Sequence, residues 1–158
     1  MSELFLPSAA AQHVATVATS AGADRLETGG FLLAGSDGHI TTVALTGKTG
    51  IQRRRDLFAI NAAALDALFD WTVANDLTVA AQWHSHRYEA FLSETDLTHG
   101  LNVPGFRTTV IPDYQRASAE PDDWGWWVFE DTAWRPTPPP ATTQGPFSVI
   151  TFDTAGVR

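Results

Sequence analysis

Two histidines one residue apart, His84 and His86, close an apolar run that begins at Leu77. If that run is a β-strand, side chains two apart leave the same face, so both imidazoles can converge on one ion. The chain has no cysteine, so a third ligand must be an oxygen or nitrogen donor. Asp96 follows after a short loop, on the first turn of a segment that Ser93 can cap as a helix. Three protein ligands leave zinc's fourth tetrahedral position open to water, the arrangement of catalytic rather than structural sites. Zinc held this way lowers the pKa of water towards about 7 and polarises a carbonyl. Carrying the water's proton to a leaving amine then needs a carboxylate close to the ion but not bound to it. Glu27, just ahead of a second apolar run, is the candidate. Ser93 has two competing uses, capping the helix and donating its hydroxyl to a developing oxyanion.

Each residue also has an ordinary reading. A His-x-His at a strand end is commonly without function, Glu27 can be a solvated turn residue, Ser93 a plain cap, and Asp96 a charge set against the helix dipole. Their joint occurrence favours a metal centre. His99 reads as a surface residue or a partner of the ligands, and His13 and His39 as surface residues. A cupin-type site using His84, His86 and Glu89 would need a jelly roll, which the helical segment just before it opposes. An amidohydrolase barrel needs about 250 residues, and zinc deaminases need cysteines.

Glu27-Thr28-Gly29-Gly30, His84-Ser85-His86 and Ser93-Glu94-Thr95-Asp96 together resemble the JAMM signature of the JAB/MPN metallopeptidases: a glutamate, then His-x-His, then Ser-x-x-Asp. The resemblance covers Leu4 to Ile111 and is to the compact prokaryotic JAB proteins. Arg87 stands where most members have proline, and the loop to Ser93 is one residue shorter. The resemblance implies one MPN/JAB-like domain, a curved mixed sheet flanked by helices. It implies one zinc per chain on His84, His86 and Asp96, with Glu27 as general acid and base and Ser93 stabilising the transition state. The implied activity is hydrolysis of a peptide or isopeptide bond after the tail of a ubiquitin-like or sulfur-carrier protein, in the manner of a deubiquitinase, with E1- or E2-like proteins as further partners. Two alternatives stay open: a catalytically silent MPN-like scaffold, and a JAMM hydrolase of another small amide or peptide.

Several elements must position these residues. Leu4-Phe5-Leu6-Pro7 reads as a strand turning into a helix over Ser8 to Ser20 with Ser8 as cap. Two apolar runs, Gly29 to Gly35 and His39 to Leu45, flank Ser36-Asp37-Gly38 and predict a β-hairpin. Asn61 to Asn75 carries Leu65, Leu68, Phe69 and Val73 at helical spacing, with Asn61 as cap. Leu77 to His84, Phe106 to Ile111 and Gly125 to Glu130 read as strands, with Trp134 starting a hairpin return through Asp131-Thr132. Trp124, Trp126, Trp127 and Trp134 read as core and sheet packing rather than a ligand platform. Residues 136–146 are a proline-rich strap before a last strand, Phe147 to Phe152. Strands mixed with two or three helices predict a single α/β or α+β domain over residues 1–158.

Composition agrees with one self-sufficient domain. The chain has 158 residues, 44% of them hydrophobic, six tryptophans and nine phenylalanines. Its formal net charge of -8 repels a phosphate backbone, so no nucleic-acid partner is expected. The one basic run, Arg53-Arg54-Arg55, reads first as a solvated loop and second as a site for an anionic partner. With no basic and apolar leader and no membrane-length apolar stretch, the expected location is the cytoplasm.

Overall fold

The computed structural model describes residues 3–158. Its elements are, in order, β1 (Phe5–Pro7), α1 (Ser8–Ala23), β2 (Gly29–Ala34), β3 (Ile40–Thr46), β4 (Ile51–Arg53), β5 (Phe58–Ile60), α2 (Ala62–Ala74), β6 (Thr78–Ser85), α3 (Glu94–His99), β7 (Arg107–Ile111), β8 (Gly125–Glu130), β9 (Ala133–Pro136), β10 (Ala141–Thr143), β11 (Ser148–Asp153) and β12 (Gly156–Val157). Eight strands form one sheet in the order β12-β11-β3-β2-β6-β7-β8-β9. Its pairings are antiparallel except for β11 with β3 and β6 with β7. This is a mixed, mostly antiparallel sheet flanked by three helices, an α+β architecture within the α/β or α+β class that the mixture of strands and helices predicts.

Strand β2 runs through the middle of the sheet and shows why the chain folds around it. All six of its residues are buried, and alternate side chains serve opposite faces. Leu32 and Ala34 pack with α1 through Ala10, Ala11 and Val14. Phe31 and Leu33 pack with α2 through Ala64 and Leu68. A strand covered on both faces reads as a continuous apolar run, which is how Gly29 to Ala34 appears in the sequence.

The hairpin β2–β3 forms as its Asp-Gly turn predicts. Gly38 sits at φ +82°, and the Asp37 carboxylate accepts from the His39 amide. Asn61 caps α2 by accepting from the Ala64 amide. The proline-rich strap continues into β10, which pairs in parallel with β1.

Four expectations need correction. Ser8 does not cap α1: the helix starts at Ser8 itself, directly after the last paired residue of β1, and Pro7 occupies the cap with no side-chain acceptor to offer. Val73 is not core but 77% exposed. Helix α2 packs along the stripe Ala64, Leu68, Thr72, and the Thr72 hydroxyl is accommodated inside by donating to the Leu68 carbonyl. His13 is half-buried against Phe147 rather than on the surface. Arg53 is not solvated: its guanidinium donates to the Thr28 hydroxyl and to the carbonyl and hydroxyl of Thr46.

Gly30 is where the sheet is tightest. A Cβ there would collide with the Ala44 carbonyl oxygen and press on the Trp83 indole nitrogen. Gly30→Ala is therefore expected to cost roughly 3 kcal/mol of stability, the upper part of the usual overpacking range. Chemical denaturation checks this, and an unchanged midpoint would show that the sheet relaxes freely around the site.

Candidate metal centre

The pairing of β2 with β6 aligns Gly29 with His84. Antiparallel continuation places Thr28 beside Ser85 and Glu27 beside His86. The first step is visible in hydrogen bonds. The Ser85 amide donates to the Thr28 carbonyl at 2.9 Å, and the Thr28 amide donates to Ser85 Oγ at 3.0 Å. On the other flank, the His86 amide donates to the Ile111 carbonyl and the Tyr114 amide to the His86 carbonyl. Both histidine backbones are thereby held in the sheet's frame rather than in a free loop.

Asp96 comes from α3, and a capping box fixes it. Ser93 Oγ accepts from the Asp96 amide at 3.1 Å, and Asp96 Oδ2 accepts from the Ser93 amide at 2.9 Å. One carboxylate oxygen thus has a structural duty, yet both reach the histidines. His84 Nε2 lies 3.1 Å from Asp96 Oδ1, His86 Nε2 lies 3.1 Å from Oδ2, and the two Nε2 atoms are 3.2 Å apart.

These separations identify what the triad can hold. Tetrahedral bonds of the length zinc makes to nitrogen and oxygen put neighbouring ligand atoms about 3.3 Å apart. His86 Nδ1 lies 3.1 Å from the Glu89 carbonyl, an acceptor that keeps a proton on Nδ1 and the lone pair on Nε2. Two imidazole nitrogens and a carboxylate oxygen directed at one point repel unless a cation or added proton lies among them. His84, His86 and Asp96 therefore fit a metal ion, with an all-nitrogen/oxygen donor set, buried or nearly so.

Burial and charge set the same groups against one another. Burial works against the charge on Asp96, but hydrogen bonds from His84 and His86 outweigh it and hold the carboxyl far below the usual range. Burial likewise opposes a charge on His86, yet its bond to Asp96 and the fields of Glu27 and Asp96 raise its pKa above the ordinary value. Burial pushes Glu27 up to about 7, with His86 working in the opposite direction. Glu27 is only 5% exposed, and its carboxyl has no hydrogen bond or ion pair with another described residue.

The five residues singled out in the sequence are thus brought together. Glu27, His86 and Ser93 line one cleft of about 280 Å³. His84 and Asp96 line a second, much tighter one of about 20 Å³, walled by Phe58, Leu92 and Trp134. His99 lines the tight cleft too, and its own side chain is exposed. Three contributors went unread. Ser85 looks like a spacer between the histidines, Arg53 like part of a charged loop, and Trp134 like core.

No family model and no curated protein matches this chain. Among solved structures it is similar to the solution structure of protein DSY2949 from Desulfitobacterium hafniense, a structural genomics consortium target. The match has 14% identity, covers 95% of this chain and 93% of that one, and has a TM-score of 0.62. At that identity the likeness is one of fold. No helix among the described residues is long and apolar enough to cross a membrane.

The titrations set a pH signature. Glu27 and His86 have raised folded-state pKa values, so the stability they contribute is complete below their unfolded values and is lost as pH rises through the folded ones. Asp96, being depressed, contributes above its unfolded value and loses that contribution in acid. Metal-free protein is expected to lose on the order of 2 kcal/mol between pH 5 and 8. Added zinc should reverse the slope, because deprotonation of the ligands favours binding. Thermal unfolding at several pH values with chelator or zinc measures both. Parallel slopes would contradict the site.

Proposed function

We propose that this chain is a zinc-dependent hydrolase of peptide or isopeptide bonds, a JAMM-type metallopeptidase on an MPN-like domain. Its substrate on this reading is a bond following the C-terminal tail of a ubiquitin-like or sulfur-carrier protein, in the cytoplasm. One observation carries the proposal: His84, His86 and Asp96 converge on a single point while Glu27 and Ser93 line the cleft beside them. A purely structural site would have no use for an unpartnered, buried carboxyl next to its ligands.

Bound zinc would supply an acidified water and a polarised carbonyl. Glu27 is suited to proton traffic, because a carboxyl near 7 both accepts a proton and gives it up at neutral pH. Its amide donates to the Arg54 carbonyl at 2.7 Å, so its backbone is held while its carboxyl faces the cleft. Ser93 serves both of its roles. The helix uses a lone pair on its oxygen, and the hydroxyl proton has no acceptor among the described residues, leaving it for a developing oxyanion.

The tight cleft beside His84 and Asp96 supports small residues on one side of the bond. Its volume corresponds to a water or two, which leaves no room for a large side chain there.

Glu27→Gln should lower hydrolysis of a Gly-Gly-tailed fusion by at least about a hundredfold, while zinc stays near one per chain by elemental analysis. Turnover at the wild-type rate would remove Glu27 from the reaction. Protein that takes up no zinc would remove the enzyme reading altogether.

A further inference from the structure

Glu27 is buried, and its carboxyl has no hydrogen bond or ion pair with another described residue. Its place beside the metal ligands therefore depends on the segment that carries it, and that segment is held from two sides. From β6, Ser85 Oγ accepts from the Thr28 amide at 3.0 Å and the Ser85 amide donates to the Thr28 carbonyl at 2.9 Å. From β4, the Arg54 carbonyl accepts from the Glu27 amide at 2.7 Å. Arg53 fastens this second side. Its Nε donates to Thr28 Oγ1 at 3.1 Å, and its Nη2 donates to the carbonyl and hydroxyl oxygens of Thr46, each at 2.7 Å. The Thr46 hydroxyl in turn donates to the Gly29 carbonyl at 2.7 Å. One planar fork of donors thus reaches the residue after Glu27 directly and the next one through a single hydroxyl.

The guanidinium is a costly way to close a sheet corner. Arg53 is half-buried, burial pushes its pKa below the ordinary value, and the three oxygens it meets are all uncharged. A partly buried charge without a counter-charge is destabilising relative to a neutral side chain of similar reach. That cost falls at the corner that carries Glu27, where position rather than stability is at stake. Neighbouring side chains on an extended segment leave opposite faces, so Thr28 turns its hydroxyl to Arg53 while Glu27 turns its carboxyl to the cleft. Arg53 lines neither cleft and acts from behind the site.

We propose that Arg53 is a positioning residue for Glu27, acting through Thr28 and through β4 to hold the carboxyl where proton transfer at the metal centre needs it. The inference rests on the hydrolase reading and deepens it. Arg53 touches neither substrate nor metal, so its loss slows the step that Glu27 serves and leaves substrate and zinc binding as they are.

On the zinc-loaded protein, Arg53→Gln and Thr28→Val should each lower kcat for a Gly-Gly-tailed fusion roughly ten- to a hundredfold, the scale of a small misplacement of a reacting group. KM should stay within about twofold of wild type, with zinc content unchanged. Thr28→Ser keeps the hydroxyl and should stay within about threefold of the wild-type rate. The Arg53→Gln/Thr28→Val double variant should be no slower than the slower single one, because both break the same link. A wild-type kcat in Arg53→Gln, a loss shared by KM or zinc content, or single losses that multiply in the double variant overturns the inference and leaves the hydrolase reading standing. A second arm needs no turnover: amide hydrogen exchange followed by NMR. Exchange at the Glu27 amide should rise about tenfold or more in Arg53→Gln and in Thr28→Val, while Leu32 in the centre of the sheet keeps its wild-type rate. An unchanged Glu27 amide, or an equal rise at Leu32, overturns the inference even if no substrate is hydrolysed.

Discussion

The hydrogen-bonded register between β2 and β6 is the constraint on which the site depends. With Gly29 opposite His84, the segment before β2 runs beside the segment after β6, and Glu27 arrives next to His86. A slip of β6 by one residue would turn that strand over and send the histidines to the α1 face. Two devices oppose such a slip. Ser85 and Thr28 exchange backbone and side-chain hydrogen bonds, and the glycines at 29 and 30 admit Trp83 and Ala44 at distances that no side chain allows. Arg53 then binds Thr28 to Thr46, tying the β4 strand to this corner.

The chain accepts an electrostatic cost at the place where it gains chemistry. Four donor atoms, the two Nε2 nitrogens and both Asp96 oxygens, lie about 3 Å from their neighbours, and Glu27 is buried beside them with no hydrogen bond or ion pair to another described residue. Burial opposes charge on Glu27, His86 and Asp96 alike, and the capping box, the sheet and the Glu89 carbonyl hold the groups in place against it. Local conflict sustained by well-formed surroundings is characteristic of functional sites. The asymmetry of the clefts adds direction, tight and aromatic-walled on one side, roomy and arginine-flanked on the other.

Much of this was legible in the sequence because it depends on short-range rules. Period-two alternation places His84 and His86 together, Ser93 with Asp96 is readable as a helix start, and Asp37-Gly38 announces the hairpin that follows Glu27. What stayed hidden depends on pairing between distant segments. Ser85 is meaningful only once Thr28 lies beside it, and Arg53 only once its guanidinium reaches Thr28 and Thr46. Trp134 becomes a cleft wall because the β8–β9 hairpin folds back near Phe106. Val73 misled because helical spacing defines a stripe without saying how wide the facing sheet is. Ser8 misled because proline occupied the cap position ahead of it.

X-ray absorption at the zinc K-edge is the most direct test of the central claim, that three distant side chains share one ion and leave part of its coordination open. The predicted spectrum has about four nitrogen or oxygen neighbours at about 2.0–2.1 Å, with outer-shell scattering from two imidazoles that drops to one in His84→Ala. A zinc without imidazole scattering, or one whose spectrum is indifferent to His84, would contradict the account.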